Sequence, residues 1–121
     1  ILTGYYALDQ PRDSMIAAQI WSLAVNHRNG YAQYALLNDE LREQKRLAYE
    51  AVAWETGVSS PWIESFDIFG KKGSYTVDFL LNSSTGSFGS FSVKIHVETI
   101  NGICRVTGIE TVKGDSSAYL V

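Results

Sequence analysis

The sequence has little of what small proteins often use to hold a metal, a cofactor or a nucleic acid. Its 121 residues include one cysteine, which excludes an internal disulfide framework and any zinc or iron–sulfur site built from several cysteines. No apolar run approaches the roughly 20 residues that a membrane-spanning helix needs. The net charge of −3 argues against general nucleic-acid binding, which requires a basic surface. Phosphate-loop, dinucleotide and nucleophile-elbow motifs are also missing. We therefore expect no metal, no cofactor, no nucleic-acid partner and no membrane contact by this segment.

The chain has enough hydrophobic residues, and is long enough, to form one domain with a buried core. Hydrophobic residues make up 45% of it, and a chain of this length buries roughly two-thirds of its unfolded surface. Helical periodicity covers about residues 11–56 and strand periodicity about residues 62–112. Because no linker or repeat interrupts this order, we interpret residues 1–121 as a single α+β domain.

The helical half predicts three helices. The first is expected to begin near Pro11, with Asp9 or Gln10 as its cap, and to end at a left-handed Gly30. Its inward stripe is expected to comprise Ile16, Ile20, Leu23 and His27, widened by Trp21 and Val25.

Two further helices are expected before the strands. A short one runs from Tyr31 to Leu37, and a longer one is capped by Asn38 and ended by Gly57. The apolar side of the longer helix is expected to comprise Leu41, Leu47, Ala48, Ala51, Val52 and Trp54.

Four strands are expected to form an antiparallel meander. The alternating pattern places one set of side chains inward: Tyr75, Val77, Phe79 and Leu81 on the second strand, and Phe91, Val93, Ile95 and Val97 on the third. Residues 82–87 are expected to form a polar loop between these two strands.

The strongest local signal is Asn101-Gly102, which predicts a two-residue type I′ turn between the third and fourth strands. This turn fixes the register. Val97 then faces Val106, Thr99 faces an inward Cys104, Glu98 faces Arg105 and His96 faces Thr107. Gly108 is expected to mark a bulge.

Three adjoining segments resemble the nuclear transport factor 2-like superfamily: AVNHRNG at 24–30, YAQYALL at 31–37 and NDEL at 38–41. The resemblance implies a cystatin-like cone, in which N-terminal helices pack on a strongly curved four-stranded antiparallel sheet around an apolar cavity. It also implies that the outer sheet surface often forms a dimer interface.

A narrower likeness is carried by RNG at 28–30, QYALL at 33–37 and TGVSSPW at 56–62. These segments resemble extracytoplasmic domains of lipoproteins and membrane proteins of Gram-positive bacteria, some of them beside metallopeptidases of the beta-lactam-sensor type. The likeness implies an extracytoplasmic domain cut from a membrane anchor. The His-Glu-x-x-His motif of such a metallopeptidase is absent from this chain.

Three residues are candidates for acid–base chemistry. His27 would lie at the cavity end of the first helix, where an imidazole titrating near neutral pH suits proton transfer; alternatively it only stabilises the helix C-terminus. Glu64 shares the phase of Trp62 and would be a protonated acid if buried, but we favour a charge protecting an edge strand. The side of the sheet that Asp67 faces stays open.

The aromatic residues admit two interpretations. They either line a ligand pocket, with polar tips that orient an apolar small molecule, or fill the core. The pocket candidates are Trp21, His27, Tyr34, Trp54, Trp62 and Tyr75.

The outer face of the sheet carries a second candidate group: Lys94, His96, Glu98 and Arg105. An exposed cross-strand pair or a homodimer interface is a better interpretation of this group than a catalytic site.

We favour a non-catalytic extracytoplasmic domain that binds a ligand or a protein partner. One alternative is a small cavity enzyme, an isomerase, dehydratase or hydrolase, with His27 as acid or base, Glu64 or Asp67 as its partner and Tyr34 as a donor to an oxyanion. The other alternative is a dimerisation module that uses the outer sheet face.

Overall fold

The structure, a computed structural model, describes residues 11–121. Within that range the helices are α1 (Ser14–Asn26), α2 (Gly30–Leu36) and α3 (Asp39–Ala51). The strands are β1 (Trp62–Lys71), β2 (Ser74–Ser83), β3 (Gly86–Ile100) and β4 (Ile103–Lys113). The strands form one antiparallel sheet in the order β1-β2-β3-β4, and α1 packs on it, which confirms the α+β class.

Side-chain caps set the beginnings of α1 and α3. Asp13 caps α1 by accepting hydrogen bonds from the backbone N–H groups of Met15 and Ile16 at 2.8 and 3.2 Å. The helix therefore begins at Ser14 rather than near Pro11, and the expected caps at residues 9 and 10 lie outside the described residues. Asn38 caps α3 as predicted, with its Oδ1 3.0 Å from the backbone nitrogen of Leu41.

The turn between α1 and α2 differs from the prediction. The left-handed residue is Arg28, with φ 58°, and the Asn29 side chain caps α2. Gly30 is instead the first residue of α2, where its N–H donates to the Trp54 carbonyl oxygen at 2.8 Å. A Cβ at position 30 would lie 2.7 Å from that oxygen, so glycine is required by close approach rather than by a positive φ.

The predicted inward stripe of α1 is confirmed at Ile20, Trp21 and Val25, which lie in or against the core, and is wrong at its other three positions. Ile16 and Leu23 are 48% and 42% exposed, and His27 is also exposed. The buried side consists mainly of small residues around one large ring: Ala17, Ala18, Trp21, Ser22, Ala24 and Val25. Small side chains let the helix backbone approach the sheet closely, and Trp21 fills the remaining depth.

The predicted apolar side of α3 is confirmed at Leu41 and Trp54, which pack against the core, and is wrong at its other four positions. The helix ends at Ala51, six residues before Gly57, because Ala53 and Trp54 adopt positive φ values of 54° and 63°. Leu47 is 69% exposed, and Ala48, Ala51 and Val52 are exposed with it. The side that packs inward has a spacing of four residues and comprises Leu41, Lys45 and Tyr49.

The sheet agrees closely with the predicted alternation. All eight side chains predicted to point inward from β2 and β3 are buried. Asn101 and Gly102 both have positive φ, as a type I′ turn requires. The register after this turn pairs Val97 with Val106 and Glu98 with Arg105, and Cys104 is buried, all as predicted.

Irregularities in the register curl the sheet. The bulge of β4 begins one residue earlier than predicted, so His96 pairs with Gly108 rather than with Thr107. A second irregularity lies between Ser92 and Val93. The polar loop is shorter than expected, since β2 continues to Ser83 and β3 begins at Gly86. Bulges increase local twist and bend the strand that carries them.

The space between α1 and the sheet is filled by side chains. Phe79 contacts Trp21 edge to face at a ring-centroid distance of 6.4 Å and stacks on Phe91 at 4.9 Å. Tyr119 continues the stack on Phe91 at 5.1 Å. Trp21, Phe79 and Phe91 are each at most 1% exposed. In the described residues, no helix is both long and apolar enough to cross a bilayer.

Candidate functional site

Two of the predicted pocket residues belong to the filled core. Trp21 is 1% exposed and Tyr75 is 3% exposed. The Tyr75 hydroxyl reaches the Oγ of Ser14, where α1 begins. The indole N–H of Trp21 has no hydrogen-bond partner among residues 11–121, an unfavourable contribution that the surrounding apolar packing must offset.

Two others, Tyr34 and Trp54, belong to a cluster that we call the aromatic corner: Tyr31, Tyr34, Tyr49 and Trp54. Trp54 is stacked between Tyr31 and Tyr49, at centroid distances of 4.5 and 5.5 Å, and Tyr34 contacts Tyr49 and Trp54 edge on. The Arg42 guanidinium lies 5.6 Å from the centre of the Tyr34 ring. These contacts join α2, α3 and the turn after α3.

A buried polar network completes this corner. Gln33 is 1% exposed; its Nε2 donates to the Oγ1 of Thr56 at 2.9 Å and to the carbonyl oxygen of Ala24 at 3.3 Å. Its Oε1 accepts from the Tyr49 hydroxyl at 3.1 Å. Burial raises the pKa of Tyr49 above the ordinary tyrosine value, so this hydroxyl is a donor at neutral pH. The network positions the helices and offers no group to an outside ligand.

The catalytic candidates do not meet in an enclosed cavity. His27 is exposed and lines a shallow depression of about 90 Å³ on the outer side of α1. Glu64 is exposed on β1, where it accepts a hydrogen bond from the indole Nε1 of Trp62 at 2.8 Å. Asp67 is exposed and pairs with Asp78 across β1 and β2. Tyr34 remains within the aromatic corner.

A concavity lies on the outer face of the sheet, and we call it the outer depression. It has a volume of about 400 Å³ and is lined by Lys72, Gly73, Ser74, His96, Val97, Glu98, Thr107 and Gly108.

Backbone geometry builds the outer depression. The tight turn at Lys72 and Gly73 joins β1 to β2, and its Gly73 carbonyl accepts from the Val97 N–H at 2.7 Å. The bulge of β4 places His96 beside Gly108, where a Cβ would lie 3.1 Å from the imidazole Cδ2. Bulges commonly redirect side chains beside functional sites.

The lining of the outer depression carries charges of both signs. Lys72 supplies an ammonium, Glu98 a carboxylate and His96 an imidazole, while Ser74 and Thr107 add hydroxyl groups. Ser74 and His96 are direct neighbours across β2 and β3. Such a lining can hold a small molecule that has both an ammonium and a carboxylate group.

The structure brings together two of the four predicted interface residues, His96 and Glu98. Lys94 is half-buried and pairs with Glu110 on β4. Arg105 reaches away towards α2, where its Nη1 donates to the Ala35 carbonyl oxygen at 2.5 Å.

Lys72, Ser74 and Thr107 also line the outer depression, although they were not among the residues predicted from the sequence. The signals present were the Lys72-Gly73 turn and the expected bulge at Gly108. Neither signal indicates that the turn docks against β3. Residues 11–121 contain no group of three or more histidine, cysteine, aspartate or glutamate side chains that could hold a metal.

No family model matches the chain, and no curated protein matches it significantly.

Proposed function

We propose that this chain is a non-catalytic binding domain that takes a small zwitterionic ligand in the outer depression. One observation carries the proposal: the space between α1 and the sheet is filled, whereas the outer face has a concavity of about 400 Å³ with charges of both signs. Ligand sites are concave and use a few polar groups for orientation.

The cavity-enzyme alternative receives less support. It needs an acid–base pair and a substrate inside a space that excludes water. His27 and Glu64 are both exposed, and the rings of Trp21 and Phe79 occupy the interior where a substrate would bind.

We also propose the cone fold of the nuclear transport factor 2-like superfamily and an extracytoplasmic location. Support comes from the segments at 24–41 and 56–62 and from three helices preceding a curled antiparallel sheet. Immunoblotting of fractions from cells that make the protein tests the location. Recovery with the cytoplasmic fraction alone contradicts it.

Titration followed by amide NMR tests the binding function. Glycylglycine, acetate and methylammonium serve as probes, because they carry both charges, a carboxylate alone or an ammonium alone. We expect saturable shifts with glycylglycine at Ser74, His96 and Gly108, and weaker ones with the other two probes. Lys72→Ala and Glu98→Gln should each weaken glycylglycine binding, by up to about fivefold for an exposed ion pair.

Two matched variants control this experiment. Lys71→Ala and Glu110→Gln remove the same kinds of charge outside the outer depression and should leave binding unchanged. Absence of saturable shifts with all three probes contradicts the proposal. Shifts that depend on protein concentration without any probe favour the dimerisation alternative instead.

A further inference from the structure

Two asparagines of the chain, Asn29 and Asn101, are directly followed by glycine. An asparagine in this position can react with its own backbone, because glycine has no Cβ to shield the amide nitrogen that follows the asparagine. Both asparagines are exposed. Access of water therefore does not distinguish them, and a difference in reactivity must come from how the fold holds each pair.

The fold restrains both reacting groups of the Asn29-Gly30 pair. The Gly30 N–H donates to the Trp54 carbonyl oxygen at 2.8 Å, and a Cβ at position 30 would lie 2.7 Å from the same oxygen. The Asn29 side chain caps α2 by accepting a hydrogen bond from the Ala32 N–H at 3.0 Å. These bonds must break before the nitrogen of Gly30 can attack the side chain of Asn29.

The same two groups are unrestrained in the Asn101-Gly102 pair. Within residues 11–121, neither the Asn101 side chain nor the Gly102 N–H takes part in a hydrogen bond. Gly102 is exposed, and a Cβ built there would meet no atom within 4 Å. The nitrogen and the side-chain amide therefore lack the contacts that hold their counterparts at the beginning of α2.

We propose that Asn101 is a site of spontaneous modification, where water converts the asparagine to aspartate and isoaspartate through a cyclic imide, and that Asn29 is protected. Hydroxide removes the Gly102 amide proton, and the nitrogen attacks the Cγ of Asn101. A C–N bond forms, the bond from Cγ to the side-chain nitrogen breaks, and that nitrogen takes a proton from water and leaves as ammonia. Water then opens the imide at either carbonyl, and no atom is oxidised or reduced.

Peptide mapping by mass spectrometry tests the proposal on the natural chain. The folded protein is kept at mildly alkaline pH, and samples taken over time are digested with trypsin under mildly acidic conditions. Cleavage after lysine and arginine separates the two pairs, because Asn29 lies in the peptide 29–42 and Asn101 in the peptide 95–105.

The two peptides should differ clearly in their rate of conversion. We expect Asn101 to react at least about tenfold faster than Asn29, where two hydrogen bonds must break first. The rate at Asn101 should rise with pH, because hydroxide removes the amide proton. Both aspartate and isoaspartate should form at position 101, because water can open the imide at either carbonyl.

Two controls assign the difference to the fold rather than to the sequence around each pair. In concentrated guanidinium chloride the two rates should converge, because neither glycine N–H then has a partner within the protein. Asn101→Gly removes the reacting amide but permits the positive φ of the turn. This variant should fold and show no conversion in the peptide 95–105.

Several outcomes overturn the proposal. Equal rates at the two pairs of the folded chain show that the contacts of Gly30 and Asn29 give no protection. A difference that persists in guanidinium chloride shows that local sequence, rather than the fold, sets the reactivity. Aspartate without isoaspartate at position 101 shows that water attacks the side chain directly. Conversion of Asn101 only after unfolding shows that the hairpin protects the pair.

Discussion

The inner layer of the sheet and the aromatic corner both exclude water, but different kinds of contact close them. The inner layer consists of aliphatic and aromatic side chains from β2 and β3 packed against α1. The corner combines stacked rings with the buried amide of Gln33, which is bonded to Tyr49, Thr56 and Ala24. The inner layer is stabilised by side chains that fill space, whereas the corner is stabilised by filled space and by hydrogen-bonded polar groups.

This difference predicts how much stability each region loses when a side chain is substituted. In an apolar layer the free energy lost should follow the volume removed, because dispersion contacts and transfer from water both scale with it. In the corner, a change of nearly equal volume should still be costly, because removing one polar partner leaves another buried without a hydrogen bond. The loss in the free energy of unfolding should therefore follow the volume removed in the inner layer but not in the corner.

The largest effect is expected at the centre of the inner layer. Phe79 is fully buried between Trp21, Phe66 and Phe91, so Phe79→Ala should lower the free energy of unfolding by about 3–5 kcal/mol. Phe79→Leu keeps most of the volume and should cost clearly less. Urea unfolding followed by circular dichroism measures both. Equal losses for the two variants would contradict the dependence on volume.

A middle-sized effect is expected at the polar centre of the corner. Gln33→Leu changes volume little but leaves the Tyr49 and Thr56 hydroxyl groups without this partner, whereas the Ala24 carbonyl oxygen keeps its bond from the Asn29 N–H. We expect a loss of about 2–3 kcal/mol in the free energy of unfolding, again by urea titration. Gln19→Leu, on the exposed side of α1, is the matched control and should stay within about 0.5 kcal/mol. A near-neutral Gln33→Leu would mean that the corner behaves as an apolar layer.

The sheet was more predictable from the sequence than the helices. The Asn101-Gly102 turn fixes the register of β3 and β4, because both residues must adopt positive φ and the pairing then follows by counting. Alternation on β2 and β3 is equally informative, since one face of each strand is buried and the other is not.

The helices were less predictable because burial depends on the surface that they meet. Hydrophobicity favours Ile16 and Leu23 over Ala17 and Ala18, yet close approach to the sheet selects the alanines. Likewise Tyr49, rather than Leu47, faces inward from α3, because it stacks on the Trp54 ring and donates a hydrogen bond to the Gln33 amide. Neither partner adjoins Tyr49 in the sequence.

The outer depression was also only partly predictable, because some of its residues meet only in the folded chain. His96 and Glu98 could be grouped from strand alternation alone. Lys72 and Thr107 join them only because the turn after β1 docks on Val97 and the bulge displaces β4. A bulge was expected at Gly108, but no local pattern encodes the docking of the turn on β3.

The smallest effect is expected when the hydroxyl of Tyr49 is removed. Tyr49→Phe removes one buried hydrogen bond to Gln33 and should lower the free energy of unfolding by about 1 kcal/mol at neutral pH. Burial raises the pKa of Tyr49 in the folded state above the value of about 10 that it has when unfolded. The folded chain therefore keeps this proton where the unfolded chain releases it, so this contribution is fully present below about pH 10 and is lost as pH rises further.

Urea titrations at neutral and alkaline pH measure this difference. The stability gap between the natural chain and Tyr49→Phe should narrow above about pH 10, because the variant has no proton to release at this position. Tyr34→Phe is the matched control, since Tyr34 lies in the same aromatic corner but its hydroxyl makes no hydrogen bond among the described residues. Parallel pH profiles for all three proteins would contradict a contribution of the Tyr49 proton, and would leave the Gln33 bonds to Thr56 and Ala24 as the polar contacts that distinguish the corner from the inner layer of the sheet.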